Sequence, residues 1–199
     1  MIKNPLFLAI VFSFQLLLSQ KIAIQPINDA CNPYKMGFMG LATENQYAQF
    51  VPHSGLLQIK GLDFIINPQS KNSSFYFNIY RNENGQPGKV IHHVLVETRK
   101  NVKSQLVSID FAGLDMQIPE QGLFCGIEWI TVSKNKMVPD MVFGKQNINF
   151  YYPNISNKKS EAEILWVFKN DNWERKIDDA LERNALDMEV SMKVDIAPF

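Results

Sequence analysis

The chain has 199 residues, 46% of them hydrophobic, and its 20 basic side chains are matched by 20 acidic ones. That length suits one domain and exceeds what a small core needs. The balanced charge argues against nucleic acid or an anionic membrane as partner, because both are met by a basic face.

In chain order, the first segment reads as an export signal. Lys3 supplies a positive start, residues 6–18 form a near-continuous apolar run (LFLAIVFSFQLLL), and small Ser19 precedes Gln20. This is the n-region, h-region and small-residue cleavage logic of a secretory signal peptide. The run falls short of the ~20 residues that span a bilayer, so no transmembrane span is expected after signal removal. Leu17 departs from the small residue preferred three positions before the cut, and no Cys follows the run to support a lipoprotein anchor. The expected division is a signal peptide over residues 1–19 and one domain over 20–199. Losing Lys3 leaves 19 basic residues against 20 acidic ones, a net charge of −1. The expected location is the periplasm, the cell surface or the medium.

In an exported chain the two cysteines, Cys31 and Cys125, permit one disulfide. Cys31 sits in the turn-rich stretch NDACNPYKMG and Cys125 inside an apolar strand pattern. The alternative is two separate thiols, with Cys125 acting as a small buried hydrophobe. No CxxC is present, and two Cys with scattered His lack zinc-ligand spacing.

From residue 57 onward, period-2 alternation dominates. Leu57 and Ile59 share one parity, while Leu62, Phe64 and Ile66 share the other. The switch at Gly61 predicts a β-bulge that restores the same face after one inserted residue. Phe75, Phe77 and Ile79 face one way, with Tyr76, Asn78 and Tyr80 opposite. Asn84-Gly85 and Pro87-Gly88 supply dense turn chemistry. Val107, Ile109 and Phe111 alternate again, and residues 123–130 are apolar on both parities except for Gly126 and Glu128. That last run predicts a central strand covered on most of both faces. Residues 175–186 (RKIDDALERNAL) carry a weak helical pattern, and Met188, Val190, Met192, Val194 and Ile196 mark a half-buried strand. The expected fold is all-β: a two-sheet antiparallel β-sandwich, jelly-roll-like, with at most one or two short helices.

The middle of the chain resembles a secreted β-sandwich module of Gram-negative bacteria, often found downstream of a carboxypeptidase-regulatory-like domain. The residues that carry the resemblance are Phe75–Tyr80 with the Asn84–Gly88 turn, Val107–Phe111, Met116–Pro119 and Phe124–Ile130. They cover roughly a third of the chain and are structural in kind. The resemblance implies a β-sandwich at the envelope or outside the cell, with no established activity.

The inventory for chemistry is thin. There is no nucleophile elbow, zinc-protease motif, P-loop or dinucleotide fingerprint. The histidines are His53, His92 and His93, and strand neighbours point to opposite faces, so His92 and His93 cannot chelate one metal together. Glu128 within an apolar strand would be a general-acid candidate if buried, but an outward position is favoured. Asp110 and Asp115 suit turn hydrogen bonds. Asn82, Glu83 and Asn84 offer oxygens for calcium without the spacing of a dedicated loop, so a solvated hairpin tip is the better reading. No cofactor is expected.

Aromatic side chains crowd the C-terminal third: Phe150, Tyr151, Tyr152, Trp166, Phe168 and Trp173. Tyr151, Tyr152 and Trp173 are the candidate ligand contacts, with a glycan or a cell-surface protein as the partner. Folding back as a lid on a sheet edge is the competing reading for Trp173. The expected function is an exported, non-enzymatic binding or structural module of the bacterial cell envelope. The alternatives are a carbohydrate-binding module using loop aromatics, a hydrolase with an unrecognised site, or a subunit of a larger surface assembly.

Overall fold

A computed structural model describes residues 21–27, 37–53, 57–111, 113–114, 116–137, 148–159, 164–176 and 184–194. The proposed signal segment and Cys31 lie outside these residues. The described strands are β1 (Ile22–Pro26), β2 (Phe38–Leu41), β3 (Glu44–Val51), β4 (Leu57–Ile66), β5 (Ser73–Glu83), β6 (Gln86–Thr98) and β7 (Gln105–Asp110). They continue with β8 (Leu123–Trp129), β9 (Phe150–Ile155), β10 (Asn157–Lys159), β11 (Leu165–Lys169), β12 (Asn172–Arg175), β13 (Asn184–Leu186) and β14 (Met188–Val194). No helix occurs among the described residues. The fold is an all-β antiparallel sandwich, as the alternation predicts.

The first sheet runs β1-β7-β4-β9-β2, with β14 also on β4. Because β7 and β14 pair with the same stretch of β4, they flank it on opposite sides. The second sheet runs β12-β11-β3-β8-β5-β6. The bulge at Gly61 is real: Ser191 pairs with Gly61 and Met192 with Ile59, leaving Lys60 as the extra residue. Ile59, Leu62, Phe64 and Ile66 consequently all reach the core. Asn84 and Gly85 take φ of 57° and 84°, a two-residue turn with both central residues left-handed, joining β5 to β6.

Between the sheets, Phe64 meets Phe75 edge-on at 5.7 Å, and Phe77 lies 6.1 Å from Phe111. β8 is central and covered on both faces, as its double-parity pattern implies, and only Glu128 is half-exposed. The helical pattern over 175–186 is not realised at its ends. Arg175 closes β12, and residues 184–186 form β13, paired with β10. That pairing buries Ala185 and Leu186 completely, a gain the weakly amphipathic helix would forgo. Residues 177–183 lie outside the described set.

One buried amide ties the sheets together. Asn135 is fully buried; its Nδ2 donates to the Ser74 carbonyl and its Oδ1 accepts from the Ser74 amide, at 2.7 and 3.0 Å. Its own carbonyl accepts from the Tyr152 amide on β9 at 2.9 Å. The side chain thus acts as one rung of a ladder for β5. Asn135→Ala strips both Ser74 groups of their partner, and each buried orphan costs about 1–3 kcal/mol. The expected result is a midpoint clearly lowered in urea unfolding at unchanged m-value; an unchanged midpoint would refute this role.

Candidate functional site on the outward face of the second sheet

The residues of the second sheet that point away from the core form three rows across the strands. Pairing registers align Trp173, Phe168, Gln46, Glu128 and Tyr76 in one row. The next row is Arg175, Trp166, Ala48, Gly126, Asn78 and His93. The third holds Phe50, Phe124, Tyr80 and Val90. The middle row is small at its centre. A Cβ on Gly126 would overlap the Tyr47 carbonyl oxygen, so this floor stays flat.

Tyr80 fills the floor. Its ring lies in a small cluster with Ala48 and Phe124, against which Trp166 and Trp173 pack. Trp173 meets Tyr80 edge-on at 5.2 Å, Trp166 meets Phe124 edge-on at 6.1 Å, and Phe168 lies 5.3 Å from Trp173. Trp166, Phe168 and Trp173 are all half-buried, so each keeps part of its ring open to solvent. The Asn170-Asp171 turn, with φ of 50° and 61°, folds β12 back on β11 and brings Trp173 opposite Phe168.

A polar chain runs beside the rings. Asn78 Nδ2 donates to Glu128 Oε2 at 2.7 Å and to the Tyr80 hydroxyl oxygen at 3.0 Å. The Tyr80 hydroxyl in turn donates to Gln46 Oε1 at 3.0 Å. Burial pushes the Tyr80 phenol well above its ordinary value and the Glu128 charge adds to this, while the Asn78 hydrogen bond opposes it. Tyr80 is therefore a neutral donor at physiological pH. At the end of the row, Lys169 Nζ lies 2.9 Å from the Glu44 carboxylate.

No family model, curated protein or solved structure matches the chain. The geometry alone therefore decides what each residue flagged in the sequence can contribute. Tyr151 and Tyr152 stand on β9, not on a loop, and are only 8% and 7% exposed. Tyr151 faces the core and Tyr152 bonds Ser70 Oγ through its hydroxyl at 3.0 Å, so neither offers an aromatic face. Trp173 is on β12, half-exposed and folded onto Tyr80, between the lid and the ligand readings. Its partners Trp166 and Phe168 share its face.

The remaining candidates are dispersed. His53 Nδ1 contacts the Ile118 carbonyl at 2.7 Å. His92 lies edge-on to Phe111 while His93 contacts Tyr76 on the outward face, as strand alternation requires. Burial, with a smaller contribution from His93, lowers the His92 pKa. Among the described residues no group of three or more His, Cys, Asp or Glu is placed to hold a metal ion. Glu128 points outward, away from the core. At the β5–β6 tip, Asn82 Oδ1 accepts from the Gly85 amide and Glu83 Oε1 from the Lys89 amide, so these oxygens serve the turn. Asp110 is an exposed end residue of β7, and Asp115 lies outside the described residues.

Cys125 is a free thiol, 1% exposed, and burial pushes its pKa up to about 12. Between about 8.5, where a solvated thiol ionises, and the folded value, only the unfolded chain loses this proton. Stability from this group is thus complete below the window and falls as pH rises through it. Cys125→Ala should make the alkaline fall of unfolding free energy shallower by one proton, about 1.4 kcal/mol per pH unit. Parallel slopes for both proteins in urea unfolding would exclude Cys125 as the group.

Tyr80→Phe removes the hydroxyl that links Asn78 to Gln46 and should cost about 1–2 kcal/mol, read as a lowered urea midpoint. A neutral substitution would mean the polar chain is held without Tyr80.

Proposed function

We propose that the chain is an exported, non-enzymatic binding module that holds a soluble saccharide chain on the outward face of its second sheet. One observation carries the reading. Trp166, Phe168 and Trp173 stand half-open on the same sheet face as the half-buried Gln46 and Glu128, an amide and a carboxylate in one row, with the buried Asn78 holding Glu128 in place. Sugars present C–H faces that pack on aromatic rings and hydroxyls that bond to amides and carboxylates. The rings are mutually tilted, by 61° for Phe168 and Trp173. Tilted rings suit successive units of a flexible chain better than the flat surface of a crystalline polysaccharide.

Export and an envelope location are supported by Lys3 and the apolar run over residues 6–18, and by the likeness of Phe75–Ile130 to a secreted module. No helix among the described residues is long and apolar enough to cross a membrane. A hydrolase has less to rest on, since His92 and His93 point to opposite faces of β6, His53 contacts the Ile118 carbonyl, and Glu128 is engaged with Asn78. A second reading, assembly with a protein partner, is favoured by the exposed apolar side chains Val90, Ile91 and Leu95 on β6.

A glycan array probed with the secreted protein tests the first reading. The wild type should bind a defined set of saccharides. Removing the open rings in the Trp166→Ala, Trp173→Ala double variant should weaken binding at least tenfold, about 1.4 kcal/mol. Tyr151→Phe, buried on the opposite side of the fold, should bind as the wild type does. Circular dichroism verifies that each variant is folded. A folded wild type that binds no saccharide would sink the sugar reading.

A further inference from the structure

β6 is the outermost strand of the second sheet, thirteen residues long, and pairs only with β5 among the described residues. A long open strand edge exposes a row of amide and carbonyl groups, and sheets guard such edges with proline, lysine or a bulge. Here the guards are confined to one half. Pro87 and Lys89 stand near the start of β6, and a register irregularity between His92 and Val90 leaves Ile91 as an extra residue. From His92 to Thr98 the pairing with β5 is regular, and none of these guards is present.

That unguarded half is self-complementary. Its sequence His93-Val94-Leu95-Val96-Glu97 reads symmetrically about Leu95, with an imidazole at one end and a carboxylate at the other. We propose that two copies of the chain pair antiparallel through this half of β6, on a two-fold axis at Leu95. The register sets Leu95 against Leu95 of the second copy, Val94 against Val96, and each His93 against a Glu97. Residues directly opposite in an antiparallel pair point to the same face. Leu95, 46% exposed, is thus covered by its own counterpart on the outward face. Val94 and Val96, already buried, extend the core side without change. Each His93 ring donates to the opposing Glu97 carboxylate, which in the single chain makes an exposed contact with Lys134 at 3.9 Å. Any other register breaks this match: shifting by two residues sets Leu95 against His93 or Glu97.

The seam is one strand deep, smaller than the ~1,200 Å² of a standard interface, so the dimer should be concentration-dependent. It does not rest on the saccharide reading, and the two fail separately. Sedimentation velocity over a concentration series should show a monomer–dimer equilibrium for the wild type. Leu95→Lys, which sets two ammonium groups face to face, should be monomeric throughout with an unchanged thermal melt, because Leu95 is half-exposed in the single chain. His93→Glu should weaken the dimer at least tenfold, and adding Glu97→Lys should restore it. Leu95→Cys should form a covalent dimer under mild oxidation, since opposed Cα atoms in such a pair lie within disulfide range, about 4.5–5.5 Å. Val132→Cys, exposed elsewhere, is the control. A wild type that stays monomeric at every concentration would overturn the proposal, as would a dimer indifferent to Leu95→Lys. Oxidation of Leu95→Cys no faster than Val132→Cys would overturn the Leu95-centred register.

Discussion

The sandwich depends on how Trp129 crosses from one sheet to the other. Trp129 stands on β8, the strand from which the second sheet extends both ways. Its indole N–H donates to the Pro153 carbonyl of β9 in the first sheet at 2.7 Å. Its ring rests on Gly40 of β2, where any Cβ would overlap it, and stands edge-on to Tyr47 at 5.4 Å. One side chain therefore sets the spacing and the slide of the sheets, through a directional bond and a contact that admits only glycine. Lys176 closes the same corner, its ammonium 5.2 Å from the Phe38 ring and 5.0 Å from that of Tyr47.

The outward face inherits its order from this arrangement. Because alternation is strict, fixing Trp129 inward sends Glu128 outward, and the same rule orients Gln46 on β3 and Asn78 on β5. The hydrogen bonds among Asn78, Tyr80, Gln46 and Glu128 then join three neighbouring strands on the side opposite the main core. Groups held this way would lose little freedom on binding the proposed saccharide, which is the advantage of a site on strands over one on loops. The second sheet is thus covered twice, by the main core on one side and by Tyr80, Trp166 and Trp173 on the other.

The strand architecture was legible because burial follows parity. The Gly61 bulge, the Asn84-Gly85 turn and the two-faced burial of β8 each follow from a few residues of sequence. The β11–β12 hairpin had a signal too, in Asn170-Asp171, two residues tolerant of positive φ between Val167 and Trp173. The polar run KNDNWERK hid it, since Trp173 there looks isolated until Phe168 is placed opposite. Tyr151 and Tyr152 could not be sorted from sequence. Both are covered, and Tyr152 is held by Ser70 at its hydroxyl and Asn135 at its amide, residues remote in the chain and joined to β9 only in the fold. On β5 parity gave the facing and left the burial open. Asn78 and Tyr80 face outward yet are 1% exposed: Trp173 packs on Tyr80, and Asn78 is bonded to Tyr80 and Glu128.

The edge of β6 and the aromatic face belong to one sheet, and the symmetry of the proposed pairing makes them one surface. A two-fold axis normal to the sheet keeps outward faces on the same side, so two copies form a continuous antiparallel sheet with β11 near each end. Nine strand spacings of about 4.8 Å separate the two copies of β11, roughly 40 Å before twist is counted. A dimer of this kind would present two aromatic faces in one direction, suited to a saccharide chain that repeats its units. There, the second contact forms at the high effective concentration set by the first. A weak seam would be adequate to this purpose, since a repeating chain concentrates the copies that it has bound.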